Sequence, residues 1–192
     1  MGVRIGVLAL QGDVSEHILA FRHALDGKGE VCAVRRPEEI ADLDGLAIPG
    51  GESTTICRLV DKNAMRRPIE AFEGGIFATC AGMVLAAREV DDPRIAPLGC
   101  IDIIVERNAF GRQRESFETD VHIAGLRTPF HAVFIRAPVA SRVGPKATVL
   151  GSVDRGVVAV RSGRHMALAF HPELGGDTRL HCMFLEHLQD TG

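Results

Sequence analysis

Three residues whose side chains can cooperate in nucleophilic catalysis stand at two distant places in the sequence: Cys80, and His171 with Glu173. A cysteine attacks as a thiolate, so it needs a base that accepts its proton and a third group that orients this base. His171 provides the base, and Glu173, two residues further on, can reach one of its imidazole nitrogens. We therefore predict a cysteine–histidine–glutamate triad with Cys80 as the nucleophile.

The residues around Cys80 have the pattern of a nucleophile elbow. An apolar run at 75–78 leads into T-C-A-G at 79–82, and helix-forming residues follow at 83–89. A sharp turn between strand and helix exposes the side chain at its tip, and the first N–H groups of the helix favour the thiolate. A cysteine at a strand end can also be a small buried hydrophobe, and the local sequence alone leaves both interpretations open.

Two other segments are expected at the same edge of the fold as Cys80. His171-Pro172-Glu173 follows a strand predicted at 165–170, although an isolated H-P-E is also compatible with a turn that carries a solvated charge. The loop Pro49-Gly50-Gly51 offers backbone N–H groups for an oxyanion hole, together with the N–H of Ala81. Glycine loops also bind phosphate, but no Gly-Lys-Ser or Gly-Lys-Thr follows here, which argues against a nucleotide site.

Length and composition fit one globular domain over residues 1–192. Apolar residues make up 46% and charged residues 24%, and the net charge of -3 gives no reason to expect nucleic acid or a membrane as partner. The first apolar run is too short for a signal peptide or a spanning helix. The five cysteines are scattered without a Cys-x-x-Cys pair, which argues against a zinc site and fits a reducing compartment. We predict a cytoplasmic protein without a metal site.

Strand and helix patterns alternate in the first half of the chain. Apolar runs predict strands at 3–10, 31–34, 46–48 and leading into Cys80. The first helix should run from a cap at Asp13 to Leu25 and bury a stripe of Val14, Ile18, Phe21 and Leu25. This order predicts an α/β fold with a doubly wound, mostly parallel sheet flanked by helices, in which sites form at the carboxyl ends of strands.

The second half of the chain is richer in strands. Short strands are predicted at 101–106, 118–123, 132–135, 147–152, 157–161 and 165–170, with a closing helix at about 177–188. No linker separates the two halves. We therefore expect these extra short strands to belong to the same domain.

Five sequence blocks occur in an order and at separations that resemble one family: P-G-G-E-S-T-T at 49–55, T-C-A-G at 79–82, V-E-R-N-x-F-G-R-Q at 105–113, F-I-R-A-P at 134–138 and F-H-P-E-L at 170–174. Over essentially its whole length the chain is similar to the glutaminase subunits of pyridoxal 5′-phosphate synthase. These are class I, triad-type glutamine amidotransferases with a flavodoxin-like fold. The first, third and fourth blocks distinguish this family from the rest of the superfamily.

The resemblance implies a role for each residue of the site. Cys80 would attack the side-chain amide of L-glutamine, giving a thioester and ammonia, with His171 as general base and then acid and Glu173 orienting it. The implied glutamine-binding residues are Gly51, Glu52, Ser53, Arg107, Ile135 and Arg136, and the implied oxyanion hole is formed by Gly50 or Gly51 with Ala81. Arg107 would face the substrate carboxylate. On the sequence alone, ordinary surface charge is the simpler interpretation of Arg107 and Arg136.

The resemblance also implies a protein partner and no cofactor. Ammonia would pass through a channel to a synthase subunit for vitamin B6 biosynthesis, in a ring complex that carries glutaminase subunits around its rim. Two alternatives stay open: a triad glutaminase of another pathway and a non-catalytic binding or regulatory module. Another cysteine hydrolase would share the elbow but would not need F-H-P-E-L.

The sequence departs from the family at one position of the elbow. Ala78 stands where the family usually has glycine, two residues before the nucleophile. If the backbone there had a positive φ angle, the alanine would strain the elbow and lower activity, whereas ordinary strand angles would accommodate the methyl group.

Overall fold

The structure, a computed structural model, describes residues 2–107, 109–110 and 116–189. The strands are β1 (Val3–Leu8), β2 (Gly29–Val34), β3 (Gly45–Ile48), β4 (Gly75–Thr79), β5 (Ala87–Val90), β6 (Ile101–Glu106), β7 (Ser116–Val121), β8 (Phe130–Ile135), β9 (Val139–Val143), β10 (Thr148–Val153), β11 (Gly156–Ser162) and β12 (His165–Leu168). The helices are α1 (Val14–Leu25), α2 (Ser53–Lys62), α3 (Arg66–Glu70), α4 (Ala81–Ala86) and α5 (Arg179–Gln189), with a 3-10 turn at Pro37–Glu39.

The main sheet has the strand order β2-β1-β3-β4-β12-β11-β9-β6-β5, and β10 pairs with β11. Neighbours run parallel from β2 to β12, antiparallel from β12 to β6, and parallel again between β6 and β5. β7 and β8 form a separate antiparallel hairpin. This mixed α/β arrangement with a mostly parallel central sheet confirms the fold class predicted from the sequence.

The pairing of β4 with β12 positions the site. The two strands are parallel neighbours, with Thr79 opposite Leu168. Carboxyl ends of parallel neighbours lie at the same edge of a sheet. Cys80 and His171 each follow one of these strands, so residues far apart in the sequence come together there.

The helices cover the sheet with apolar and aromatic side chains. α1 packs against β1, β2 and α5, whereas α2 packs against α4, which in turn covers β3, β4 and β12. Phe77 of β4 lies between Phe21 of α1 and Phe184 of α5, with ring centroids 5.3 and 5.2 Å apart. None of the helices in the described part of the chain is long and apolar enough to cross a membrane.

Two segments differ from the sequence prediction. The helix predicted at 83–89 ends at Ala86, because Ala87–Val90 forms β5 and pairs with β6. Val139–Val143 was not predicted as a strand, since V-A-S-R-V lacks a clear alternation of apolar and polar residues. It nevertheless joins β11 to β6 as β9. Both segments become strands because they pair with neighbouring strands, and this pairing cannot be predicted from the local sequence.

Candidate active site

Cys80 stands in the turn between β4 and α4 on a strained backbone. Its φ of 47° and ψ of -106° lie outside the regions that non-glycine residues usually adopt. Its N–H donates to the carbonyl oxygen of Leu168 at 2.8 Å, which ties the turn to β12. Its Sγ atom lies 3.7 Å from the carbonyl oxygen of Ile135. Strain of this kind persists where the surrounding structure fixes the conformation, and it is concentrated at functional sites.

The turn packs tightly against the end of β3. A Cβ atom at Gly82 would lie 1.9 Å from the carbonyl oxygen of Ile48, so only glycine fits. Ala78 lies inside β4, fully buried and paired with Ile48 and Ala167. The positive φ angle of the turn belongs to Cys80 and not to Ala78, so the extra methyl group adds no backbone strain.

His171 and Glu173 form a buried pair beside Cys80. The N–H of His171 donates to the carbonyl oxygen of Val133 at 2.9 Å, which fixes its backbone against β8. Its Nδ1 atom lies 2.8 Å from Oε1 of Glu173, and the side chains are 5% and 0% exposed. Because Nδ1 faces Glu173, Nε2 is the nitrogen that remains for proton exchange with Cys80, which lines the same pocket.

Asp13 contributes a second carboxylate that the sequence did not reveal. We predicted that its side chain caps α1, but the structure shows no such cap hydrogen bond, although Asp13 occupies the cap position. Its Oδ2 atom instead lies 3.2 Å from Nδ1 of His171. Asp13 is thus a residue of the site.

The three partners determine the charge of His171. Burial of the imidazole opposes its charged form, but hydrogen bonds to Asp13, Cys80 and Glu173 outweigh burial and raise its pKa. Burial in turn raises the pKa of Glu173, and the hydrogen bond and charge of His171 counteract this rise. The arrangement therefore favours a protonated imidazole beside Cys80.

Asp13, His171 and Glu173 have side chains of the types that bind metal ions, but their spacing does not by itself indicate a metal site. Each of the three places one ligand-type atom within 4.8 Å of the others. Both carboxylates are directed at the same nitrogen of His171, so hydrogen bonding explains the cluster.

A pocket of about 330 Å³ opens beside Cys80, a volume within the range of small-molecule sites. It brings together most of the residues predicted from the sequence. Those that line it are Gly51, Glu52, Ser53, Cys80, Ala81, Arg107, Ile135, Arg136 and His171. Gln11, Asp13, Val84 and Pro138 also line it and were not predicted. Gly50 and Glu173 are not among the lining residues.

Glu52 caps α2 with its side chain. Its carboxylate accepts hydrogen bonds from the backbone N–H groups and hydroxyls of Thr54 and Thr55, at 2.6 to 3.1 Å. Burial raises the pKa of Glu52, but these hydrogen bonds prevail and lower it to about 2. Glu52 therefore holds a fixed negative charge at the rim of the pocket, next to the start of α2.

Arg107 is held in place by three acidic side chains, two at its guanidinium and one at its backbone N–H. It is paired with Asp92, and its Nη2 atom lies 3.5 Å from Oε1 of Glu52. Its backbone N–H donates to Asp91 at 3.0 Å. Only 17% of its side chain is exposed, so Arg107 is an oriented residue of the pocket and not an ordinary surface charge.

Arg136 has the second unusual backbone of the pocket. Its φ angle is 45°, its side chain is exposed, and it directly follows Ile135, whose carbonyl oxygen faces Cys80. A left-handed conformation in arginine costs free energy, so the local geometry is imposed by the surroundings.

The glycine loop is held by hydrogen bonds from both sides. The N–H of Gly50 donates to Oγ1 of Thr79 at 3.1 Å, and its carbonyl oxygen accepts from the N–H of Asp13 at 3.2 Å. Gln11 accepts the N–H of Glu52 at 2.9 Å. The N–H of Gly50 is therefore occupied in this structure, whereas Gly51 and Ala81 both border the pocket.

Part of one predicted block lies outside the described residues. The block at 105–113 is described at 105–107 and 109–110, whereas Asn108 and residues 111–113 lie outside the described residues.

This sheet, with a cysteine and a histidine at neighbouring strand ends, is an arrangement shared with class I glutamine amidotransferases. A crystal structure of a glutamine amidotransferase superposes with a TM-score of 0.88 at 43% identity, covering 96% of this chain and 98% of the other. The sequence profile described as the SNO glutamine amidotransferase family matches residues 7–190, and the chain belongs to this family.

Two archaeal relatives are similar over almost their whole length. The chain is 63% identical over 192 residues to the pyridoxal 5′-phosphate synthase subunit PdxT of Methanosphaerula palustris, covering 98% of both chains. It is also 63% identical over 191 residues to the protein of the same name from Methanoculleus marisnigri, covering 98% of this chain and 100% of that one.

Proposed function

We propose that the chain is the glutaminase subunit of a pyridoxal 5′-phosphate synthase and hydrolyses L-glutamine to glutamate and ammonia. The observation that carries the proposal is the buried His171–Glu173 hydrogen bond of 2.8 Å beside a cysteine on a strained elbow. The 63% identity to two subunits of that name supports the pathway.

The first half of the reaction forms a thioester. With the proton already on Nε2 of His171, the thiolate of Cys80 attacks the side-chain carbonyl carbon of glutamine. The carbonyl oxygen becomes an oxyanion, for which the N–H groups of Ala81 and Gly51 are the proposed donors. His171 then gives its proton to the leaving nitrogen, the C–N bond breaks, and ammonia departs.

The second half regenerates the enzyme. The neutral imidazole of His171 takes a proton from water, and the resulting hydroxide attacks the thioester. The C–S bond breaks, glutamate leaves, and the imidazolium–thiolate pair returns. Glu173 keeps the imidazole oriented in both halves and stabilises its positive charge.

The pocket presents charges of both signs, as a free amino acid requires. Arg107, oriented by Asp92 and Glu52, is the proposed partner of the substrate carboxylate, with Arg136 and the backbone of Ile135 completing that side. Gly51, Glu52 and Ser53 also line the pocket. Gly50 could join the oxyanion hole only if its bond to Thr79 were broken, so the N–H of Gly51 is the better donor in this structure.

We further propose that the ammonia passes to a synthase subunit in a ring-shaped complex. The occupied N–H of Gly50 agrees with a loop that must rearrange before full activity, as expected if docking of the partner activates the enzyme. The scattered cysteines, all free, favour the cytoplasm as its compartment.

The test is ammonia release from L-glutamine by the purified protein, alone and with the synthase subunit of the same organism. Strong release only with the partner supports both chemistry and pathway. Equal release in both conditions retains the glutaminase and argues against the pathway. No release in either condition contradicts the proposal.

A further inference from the structure

A completely buried histidine lies behind the triad on α1. His17 is 0% exposed, and its Nε2 atom lies 2.9 Å from Oγ1 of Thr79 and 3.4 Å from Oε2 of Glu173. Thr79 directly precedes the nucleophile, and Glu173 orients its base. One nitrogen of His17 therefore lies close both to the residue before the nucleophile and to the residue that orients the base.

The surroundings determine which nitrogen of His17 carries the proton. Burial, with smaller contributions from His181 and His171, holds the pKa of His17 well below its usual range, so the ring is neutral. A proton on Nε2 makes the contacts with both oxygens favourable and leaves the acceptor Nδ1 without a partner in the described part of the chain. A proton on Nδ1 would leave a buried donor unpaired and turn a lone pair towards the carboxylate.

The carboxylate of Glu173 needs such a donor. Its Oε1 atom bonds to His171, whereas Oε2 is buried and has no hydrogen bond of ordinary length in the described part of the chain. The Nε2 atom of His17 lies 3.4 Å from this oxygen, while its hydrogen bond in this structure is the one to Thr79. A slight shortening of the contact would make it a hydrogen bond to a buried charge, which is stronger than one between neutral groups.

Thr79 extends the contact to the glycine loop. Its Oγ1 atom accepts the N–H of Gly50 at 3.1 Å in addition to bonding Nε2 of His17. A hydroxyl oxygen can accept two hydrogen bonds, so both are compatible with a proton on Nε2. His17 thus links Glu173, the residue before Cys80, and the loop of the oxyanion hole.

We propose that His17 is a positioning residue for the reaction, which donates its Nε2 proton to Glu173 and Thr79 and so holds the triad acid and the glycine loop in register. The proposal rests on the glutaminase function proposed above. His17 does not touch the substrate, so its effect should be on kcat and not on KM.

The competing interpretation is that His17 only fills the core. Its ring packs near Phe21, Phe77 and His181, with centroids 6.4, 6.0 and 5.8 Å away. A phenylalanine would satisfy these contacts, whereas a glutamine would place an amide N–H near the position of Nε2. The two substitutions therefore separate packing from hydrogen bonding.

The experiment measures glutaminase kinetics and thermal unfolding of the complete complex with wild-type, His17→Phe and His17→Gln chains. We expect His17→Phe to lower kcat about 10- to 100-fold with KM changed less than about twofold, because a hydrogen bond to a buried charge is lost. His17→Gln should recover most of the activity. Wild-type kcat in His17→Phe, or equal loss in both variants at unchanged Tm, would overturn the proposal.

A double-mutant cycle tests whether His17 acts through Glu173. In a Glu173→Ala background, adding His17→Phe should lower kcat less than about threefold, because the group being positioned is already absent. A further loss of tenfold or more would show that His17 does not act through Glu173 and would overturn that part of the proposal. If His17→Phe does not fold, Thr79→Val against Thr79→Ser tests the same bond, and equal activity of these two variants would refute it. An inactive wild-type complex would instead contradict the proposed function.

Discussion

The ring of His171 occupies the space that any side chain at Gly50 would need. A Cβ atom at Gly50 would lie 2.4 Å from Cε1 of His171 and 3.0 Å from its Nδ1. The glycine loop and the base of the triad are therefore in direct contact, and the shape of one limits the other.

Gly50→Ala should displace the imidazole and weaken its bond to Glu173. We expect kcat for glutamine hydrolysis to fall about 100-fold, the effect of misplacing a catalytic group by about 1 Å. Gly175→Ala is the matched control, because a Cβ atom there meets nothing within 4 Å. Full activity of Gly50→Ala would show that the loop and the ring separate in the working enzyme.

Cys80→Ala and Cys80→Gly should both abolish ammonia release, since neither has a nucleophile. They should differ in stability. Only glycine adopts the φ of 47° without strain, so Cys80→Gly should be more stable than Cys80→Ala by about 1 kcal/mol in urea unfolding. Cys182→Ala, on α5, should keep full activity. Residual turnover by either Cys80 variant would mean that another group attacks the amide.

Ala78→Gly should leave activity unchanged and cost stability. Ala78 is fully buried in β4 with ordinary strand pairing, so glycine removes a packed methyl group and adds freedom to the unfolded chain. We expect a loss of about 1 kcal/mol in the free energy of unfolding. A gain in kcat would show that the methyl group hinders the elbow after all.

Arg107→Lys should raise KM for glutamine about tenfold with a smaller change in kcat, because lysine cannot pair with a carboxylate through two parallel N–H groups. Arg94→Lys is the matched control. Arg94 also pairs with Asp92, at 2.6 Å, but its side chain is 72% exposed and does not line the pocket. An unchanged KM in Arg107→Lys would assign the substrate carboxylate to Arg136 instead.

His181→Phe should make stability less sensitive to acid. His181 is fully buried, and burial lowers its pKa to about 4. Because the unfolded chain has the ordinary value of about 6.5, it takes up the proton first as pH falls. The free energy of unfolding therefore decreases as the pH falls below the unfolded pKa, by up to about 1.4 kcal/mol per pH unit. The decrease ends when the pH reaches the pKa of His181 in the folded protein.

In His181→Phe, the slope of the unfolding free energy against pH should decrease between those two pH values by the contribution of one proton, about 1.4 kcal/mol per pH unit. Urea unfolding at several pH values measures this slope. Leu180→Val serves as the control, because it removes a buried methylene and lowers stability without removing a titratable group. An unchanged slope in His181→Phe would mean that His181 is hydrated or charged in the fold.

The elbow was predictable from the sequence because its signals are local. An apolar run, a turn with a glycine that must lack a side chain, and a helix-forming stretch are adjacent to Cys80. The carbonyl oxygen of Ile48 leaves no room for a side chain at Gly82. The glycine itself can be read from the sequence, even though the contact that requires it cannot. His171 was predictable for a similar reason, since it directly follows a short strand.

Asp13 and His17 were not predictable, because local rules assign them other roles. An aspartate before a helix is expected to cap it, and only the position of β12 shows that its side chain reaches His171 instead. The predicted apolar stripe of α1 does face the core, with Phe21 and Leu25 buried in it and Val14 and Ile18 packed against it. Val14 and Ile18 are only half-buried, whereas His17 on the same helix is fully buried.

The place of β12 in the sheet has a consequence for synthesis on the ribosome. β12 is the last strand to be made, yet it lies between β4 and β11. Until residues 165–171 emerge, β4 has an open edge that could pair with other chains. Some 90 residues separate Cys80 from its base, so at the usual rates of translation the nucleophile waits roughly 5 to 20 seconds for it. A nascent chain that ends before residue 171 thus carries the cysteine without its base, and we expect no ammonia release until β12 and the residues after it have been made.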